Sequence, residues 1–296
     1  MDAGAFRLDT RQVRRAFDRA ARAGDDAAVL QTEVERRMLD RLDYVRLRPA
    51  RVLDAGCGPG RGLDLLRRRY PRAELIGADF APGAIEKAMR SQSLVERARR
   101  LLGGPRRFHV CADFLCLPLP SRCIDMVWSN LALAWTDDPI AALREFHRVL
   151  AAGGLLMISS YGPDTLRELK AAFSAASRAR HVHAFADMHD VGDLLVACGF
   201  AEPVMDMERI TLTYADVAAL ARDLKSSGET CAARDRRAGL LGRDAWRKML
   251  EAYARERKDG KLPATIEVVY GHAWKGAPRT AADGRQIVKW GARIQR

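Results

Sequence analysis

At 296 residues, with 48% hydrophobic and 30% charged side chains, the chain has the length and composition of a globular protein with a sizeable core. No apolar run approaches the ~20 residues of a membrane-crossing helix, and Asp2, Asp9 and Asp18 interrupt the Arg-rich N-terminus, so a cytoplasmic protein without membrane association is expected. The net charge of +12 is spread as arginine through helical stretches, without the basic–aromatic interleaving of an RNA-binding surface, so no nucleic-acid partner is expected.

The first fifty residues read as a helical prefix. From residue 51 to about residue 160, short apolar runs (RVLDAG, ELIGADF, RFHVCAD, IDMVWSNLA, GLLMISSY) alternate with segments whose apolar residues recur every three or four positions, such as GLDLLRRRY and DPIAALREFHRVL. That alternation predicts an α/β fold, a mostly parallel sheet with helices on both faces. Beyond it, GPDTLRELKAAFSAAS and DMHDVGDLLVACGF read as helices, and MDMERITLTY and TIEVVYGHAWK as strands. Two late strands with no crossover helix between them predict an antiparallel terminal hairpin, and the charged helical sequence from Ala215 to Lys261 sits on its connection as an insertion. The expected organisation is an N-terminal helical segment or lid over 1–50 and one catalytic domain over 51–296, with the insertion at 215–262. Six cysteines form no CxxC pair and no zinc-like spacing, and the histidine pair of HVHAF lacks a supporting carboxylate, so no metal is expected.

VLDAGCGPGRGLDLL joins the first strand to a helix through Gly56, Gly58 and Gly60. A glycine turn at a helix N-terminus lets a ligand approach bare backbone. A dinucleotide fingerprint needs a glycine at position 61, where this chain has arginine; G-x-G-x-G after Asp54 is the usual loop for S-adenosylmethionine. Asp79, ending the second strand, is placed to accept from both ribose hydroxyls, a role shared with NAD enzymes. Asp113 ends the third strand, where class I methyltransferases set an acid against the adenine amino group with the next residue, here Phe114, on the ring. In VWSNLALAW, Asn130 and Leu131 occupy the fourth strand's tip, where such enzymes line the methyl-donating mouth, and Trp135 is a candidate wall of that mouth. The expected cofactor is S-adenosylmethionine, held by Asp54, Ala55, Gly56, Cys57, Gly58, Gly60, Asp79, Phe80, Asp113, Phe114, Asn130 and Leu131, on a Rossmann-like seven-stranded sheet.

RQVRRAFDRAARAGDDAAVLQ, WSNLALAW, GPDTLREL, FADMHDVGDLL, TLTYADVAALARDLK and EVVYGHAW together resemble the malonyl-acyl-carrier-protein O-methyltransferases of biotin synthesis (BioC type) over nearly the whole chain. The resemblance implies S-adenosylmethionine-dependent methylation of the free carboxylate of a malonyl thioester, on acyl carrier protein or coenzyme A. It also implies a cofactor contact from Gln31 in the N-terminal segment. A malonyl carboxylate is ionised at neutral pH, so the site needs orientation and desolvation rather than a general base. A guanidinium suits that task, and Arg144, Arg148 and Arg167 are the candidates, Arg144 foremost. The insertion, with Arg234, Arg236 and Arg237, is expected to face an acidic carrier. Two positions depart from the family pattern: Gly24 stands where a tyrosine is usual, and Ala184 where an arginine is. A monomer is expected. A methyltransferase for a different small molecule or RNA, and a non-methylating assembly or hydroxylase-type relative, are the alternatives.

Overall fold

A computed structural model describes residues 8–23, 29–91, 104–237 and 239–276. Two helices precede the sheet: α1 (Thr10–Ala23) and α2 (Val29–Arg41). The core then runs β1 (Arg51–Ala55), α3 (Arg61–Arg69), β2 (Glu74–Asp79), α4 (Pro82–Arg90), β3 (Arg107–Cys111), β4 (Ile124–Ser129), α5 (Pro139–Val149) and β5 (Leu150–Tyr161). After it come α6 (Arg167–Ser174), α7 (Met188–Ala197), β6 (Phe200–Tyr214), α8 (Val217–Ser226), α9 (Arg243–Ala254) and β7 (Leu262–Lys275).

The seven strands form one sheet in the order β3-β2-β1-β4-β5-β7-β6. β1 to β5 pair in parallel, and β7 enters antiparallel between β5 and β6. The mostly parallel sheet, the helices and the antiparallel hairpin carrying a helical connection are thus as the hydrophobic pattern predicts. Both faces are covered, one by α2 and α3 through Val34, Met38, Leu63 and Leu66, the other by α5 and α7 through Leu143, Phe146, Leu194 and Leu195. β7 is buried along almost its whole length because strands flank it on both sides. β6, at the edge, alternates half-buried and exposed positions, and its Asp206 and Glu208 pair with Arg41 and Arg37 of α2. Charges on an edge strand blunt its tendency to pair with another chain.

Two stretches that carry the family resemblance turn out to hold each other. In GPDTLREL, Gly162 N–H donates to Glu267 O at 2.9 Å and Leu166 N–H to Thr265 O at 2.6 Å. Glu168 accepts from the Thr265 backbone N–H at 3.0 Å and from its hydroxyl. These buried bonds fasten the start of α6 to β7, the strand of EVVYGHAW. A Cβ on Gly162 would lie 2.5 Å from Glu267 Oε1, so only glycine lets the two segments come so close. Tyr270 is buried under the Arg41 guanidinium, which lies 3.7 Å from its ring centroid.

Candidate active site

The strand order reverses between β1 and β4, and ligands of open α/β sheets bind at the carboxyl ends of the strands at that point. Gly56, Gly58 and Gly60 there have φ of +79°, +51° and +87°. Gly56 is further constrained: a Cβ on it would lie 2.3 Å from Ala132 Cβ. The loop's amides face inward, Gly56 and Cys57 donating to Ala78 O, Gly60 to Cys57 O and Gly58 to Asp79 Oδ2 at 2.9 Å. With those donors spent, the loop offers no amide nest for a pyrophosphate.

The loop forms one wall of a cavity of about 180 Å³. Its lining includes Gly56, Cys57, Gly58, Asp79, Phe80, Asp113, Phe114, Asn130, Leu131, Gln31 and Trp135 of the residues expected from sequence. Asp54, Ala55 and Gly60 do not line it. Asp54 and Ala55 lie buried at the end of β1, and the Gly60 carbonyl accepts from Arg107. These three stand behind the lining residues of the loop.

Asp79 also takes the Ala81 N–H at 2.8 Å, and burial lifts its carboxyl to about 6. Asp113 caps its turn by accepting from Leu115 N–H at 2.9 Å. Leu131 has φ of +54°, a strained backbone held by Ser159, whose carbonyl and hydroxyl both accept from its N–H while the hydroxyl donates to Asn130 Oδ1. Glu35 was not evident from sequence, although it lies four residues after Gln31 on the same face of α2. Burial pushes its carboxyl up to about 7, with Asn130 and Arg61 opposing that push. Glu35 Oε2 and Gln31 Oε1 are buried without a hydrogen-bond partner among the described residues. Four carboxylates (Glu35, Asp79, Asp113, Glu229) against Arg61 and Lys87 give a lining that suits a ligand with cationic groups better than a polyphosphate.

The roof combines the two additions to the core. α1 contributes Phe17, Ala20 and Ala21, and the insertion contributes Ser226, Ser227 and Glu229. They are joined: Leu8 bridges Ala233, Asp9 N–H donates to Ala232 O at 2.8 Å, and Arg234 donates to Leu8 O at 2.8 Å. Arg234 also pairs with Asp137, and Arg236 with Asp9. These two arginines stitch the roof together, and Arg237 donates to its own loop at Gly239 and Leu240. Gly24 lies outside the described residues.

Trp135 is buried and divides this cavity from a second, of about 230 Å³. Its ring stands edge-on to Phe17, His183 and Phe185, at 5.3, 4.9 and 6.5 Å between centroids. The second cavity is walled by Tyr161, Leu166, Leu169, Phe185 and Tyr214 among others, and Gln31, Ser227 and Glu229 line both. No lysine or arginine appears among the described residues that line the second cavity. The arginine candidates lie elsewhere: Arg144 is exposed on α5, and Arg167 is half-exposed beside Asp164 and Glu168. Arg148 clamps Glu145 and the carbonyls of Leu117 and Leu119. Helical spacing put these side chains on a plausible face, but that face is turned away from both cavities. Ala184 belongs to the loop whose neighbours His183 and Phe185 do line the second one.

Fold and site define a class I methyltransferase, and a "Methyltransferase domain" family model matches residues 53–158. The YcgJ protein of Bacillus subtilis and the BH2331 protein of Bacillus halodurans share the fold, each with a TM-score of 0.56 over 81% of this chain and 99% of theirs, at 14% and 15% identity. Over nearly full length the chain is 51% identical to the malonyl-[acyl-carrier protein] O-methyltransferase of Gallionella capsiferriformans (98% of this chain, 99% of that one). It is 53% identical to that of Laribacter hongkongensis, over 97% of each chain. The chain belongs to the malonyl-acyl-carrier-protein O-methyltransferase family.

Proposed function

We propose that the protein transfers the methyl group of S-adenosylmethionine to the free carboxylate of a malonyl unit held as a thioester on acyl carrier protein, as a cytoplasmic step toward biotin. The observation that carries this is identity of about half the residues over whole chains, together with a boundary between an acid-lined cavity and an apolar one.

The residues of the first cavity fit the cofactor. Asp79 would take the ribose hydroxyls, and Phe80, Asp113, Phe114 and Leu115 would enclose the adenine. The unpartnered Glu35 and Gln31 oxygens would receive the ammonium group, with Arg61 beside them for the carboxylate. S-adenosylmethionine, when bound, supplies a methyl group on a sulfonium. An acceptor carboxylate needs no base, because a carboxylate oxygen displaces the carbon–sulfur bond with no proton gained or lost. The chain's contribution is to strip water from that oxygen and hold it in line. Trp135, Phe17 and Phe185 exclude water at the boundary, and Gln31, Tyr161 and His183 supply neutral hydrogen-bonding groups there. Burial drives the His183 ring down to about 4, so it is neutral at physiological pH, with Ala232 N–H donating to its Nε2.

The test is transfer of labelled methyl from S-adenosylmethionine to malonyl-carrier protein, with malonyl-coenzyme A and succinyl-carrier protein alongside. Transfer to the malonyl-carrier substrate in preference to both others is expected. Tight cofactor binding without transfer to any of them would overturn the acceptor assignment, and methylation of RNA in its place would identify a different acceptor class.

A further inference from the structure

The second cavity has an inner end and an outer one. Buried Trp135 closes it toward the first cavity. Of the described residues that line it, only Ala221 of α8 and Trp246 of α9 stand exposed, so it meets solvent between these two helices. A volume of about 230 Å³ admits a slender chain and no folded protein. A malonyl unit that reaches Trp135 through this mouth on a thioester arm leaves its carrier's body outside, against α8 and α9.

α9 is built with two faces. Met249 and Tyr253 are fully buried, one helical turn apart, where the helix packs on α6. Arg243, Trp246, Arg247 and Leu250 follow one another at the three- and four-residue spacing of a single stripe, and all four are exposed. Trp246 keeps 41% of its surface in water and Leu250 37%, and Leu240, just before the helix, keeps 95%. Large apolar groups left in water beside arginines have the composition of a binding surface.

The charge around the mouth is basic and lightly committed. Lys225 is exposed one turn after Ala221 on α8. The side chains of Lys225 and Arg243 enter no ion pair or hydrogen bond among the described residues. Arg247 pairs with Asp244 at 3.3 Å, an exposed contact that a partner's carboxylate can replace at little cost. The acids of α9, Asp244 and Glu251, lie beyond Arg247 around the helix from Trp246. Arg234 and Arg236 differ in kind, because their bonds hold the roof.

We propose that the exposed stripe of α9, with Lys225 of α8, is the docking surface for an acidic carrier protein, Trp246 forming the lip over which its thioester arm enters the second cavity. The proposal rests on the malonyl thioester reading above and adds to it where the carrier sits. Carboxylates of the carrier meet Arg243, Arg247 and Lys225, and an apolar patch among them covers Trp246 and Leu250. Attraction of this kind acts on encounter and is screened by salt.

The experiment is steady-state methylation of malonyl-carrier protein by the full chain and by two variants of equal charge. One carries Arg243→Glu with Arg247→Glu. The other carries Arg68→Glu with Arg144→Glu, at exposed positions outside both cavities. The α9 variant is expected to raise acceptor KM by about tenfold or more, with kcat and cofactor KM within about twofold, and the control variant to move none of them. Added salt is expected to raise the wild-type acceptor KM and to leave that of the α9 variant nearly flat. Trp246→Ala is expected to raise acceptor KM by about tenfold. The thermal midpoint and the affinity for S-adenosylhomocysteine report that each variant keeps its fold and its first cavity. Equal acceptor KM for the two charge variants would overturn the docking surface while leaving the acceptor assignment standing. So would a wild-type chain that sediments as a dimer and that the α9 variant makes monomeric with acceptor KM unchanged, since a second copy would then be the occupant. No methylation of malonyl-carrier protein by wild type would overturn both.

Discussion

The two cavities that meet at Trp135 differ in how they are made. The first has its floor in strand tips and the turns that follow them, at the place where a parallel sheet of this order opens a crevice, and is closed over by α1, α2 and the insertion. The second draws on α2, β5, α6, the loop around His183, β6, α8, α9 and β7, residues separated by more than two hundred positions. The floor of the first follows from topology, whereas most of the second depends on how additions to the core pack against each other. The difference extends to charge. Carboxylates dominate the first lining, whereas the second is apolar with neutral donors and two acids. A proton linkage follows for the first: a cationic cofactor favours ionised Glu35 and Asp79.

Removing the partition is the most severe way to break this comparison. Trp135→Ala deletes a buried ring in contact with Phe17 and His183 and merges the two spaces, at an expected cost of about 3–5 kcal/mol in stability, read in urea unfolding. Gly56→Val attacks the first cavity alone. The side chain meets Ala132 at a backbone φ of +79°, and loss of roughly 3 kcal/mol of cofactor affinity is expected by calorimetry, with acceptor binding measured separately. Glu35→Gln removes one acid from the cofactor side, and a cofactor affinity about tenfold weaker is expected near pH 8, where the native carboxyl is ionised.

The same acids set a pH signature. Burial raises Glu35 to about 7 and Asp79 to about 6, and cofactor binding favours their charged forms. Cofactor affinity is expected to fall as pH drops from about 7 toward about 5, with protons released on binding. Proton uptake on cofactor binding would overturn the assignment of Glu35 and Asp79 to the cationic cofactor. The smallest effect belongs to Arg144→Glu. An exposed residue outside both cavities is expected to change stability by no more than about 0.5 kcal/mol and turnover on a small malonyl thioester by less than twofold.

How far the sequence could be followed tracks the same division. The alternation of apolar runs and helical repeats predicts the sheet, and Gly56, Asp79, Asp113 and Asn130 stand at consecutive strand ends, so their convergence follows from the parallel order alone. Glu35 and Glu229 were not legible in the same way. A glutamate on an amphipathic helix and one after a glycine in a charged insertion look like solvent-facing residues until tertiary packing brings α2 and the insertion over the sheet. The surroundings of the arginines were hidden for a related reason. Helical spacing places Arg144 and Arg148 on one face but does not reveal which way that face points, and Arg148 is consumed by Glu145 and two carbonyls. Tyr270 and His272 pack in the hairpin, and GPDTLREL both fastens α6 to β7 and lends Thr165, Leu166 and Leu169 to the second cavity.

The seam between the N-terminal helix and the insertion has a consequence for rhythm. Leu8, Asp9, Ala232, Ala233 and Arg234 join two pieces of chain over one ligand space, so neither piece can lift without the other. Movement of either piece away from the ligand space would have to break these bonds, and Arg234→Ala, which removes one of them, is expected to shorten the time each cofactor stays bound, read as a faster cofactor dissociation rate.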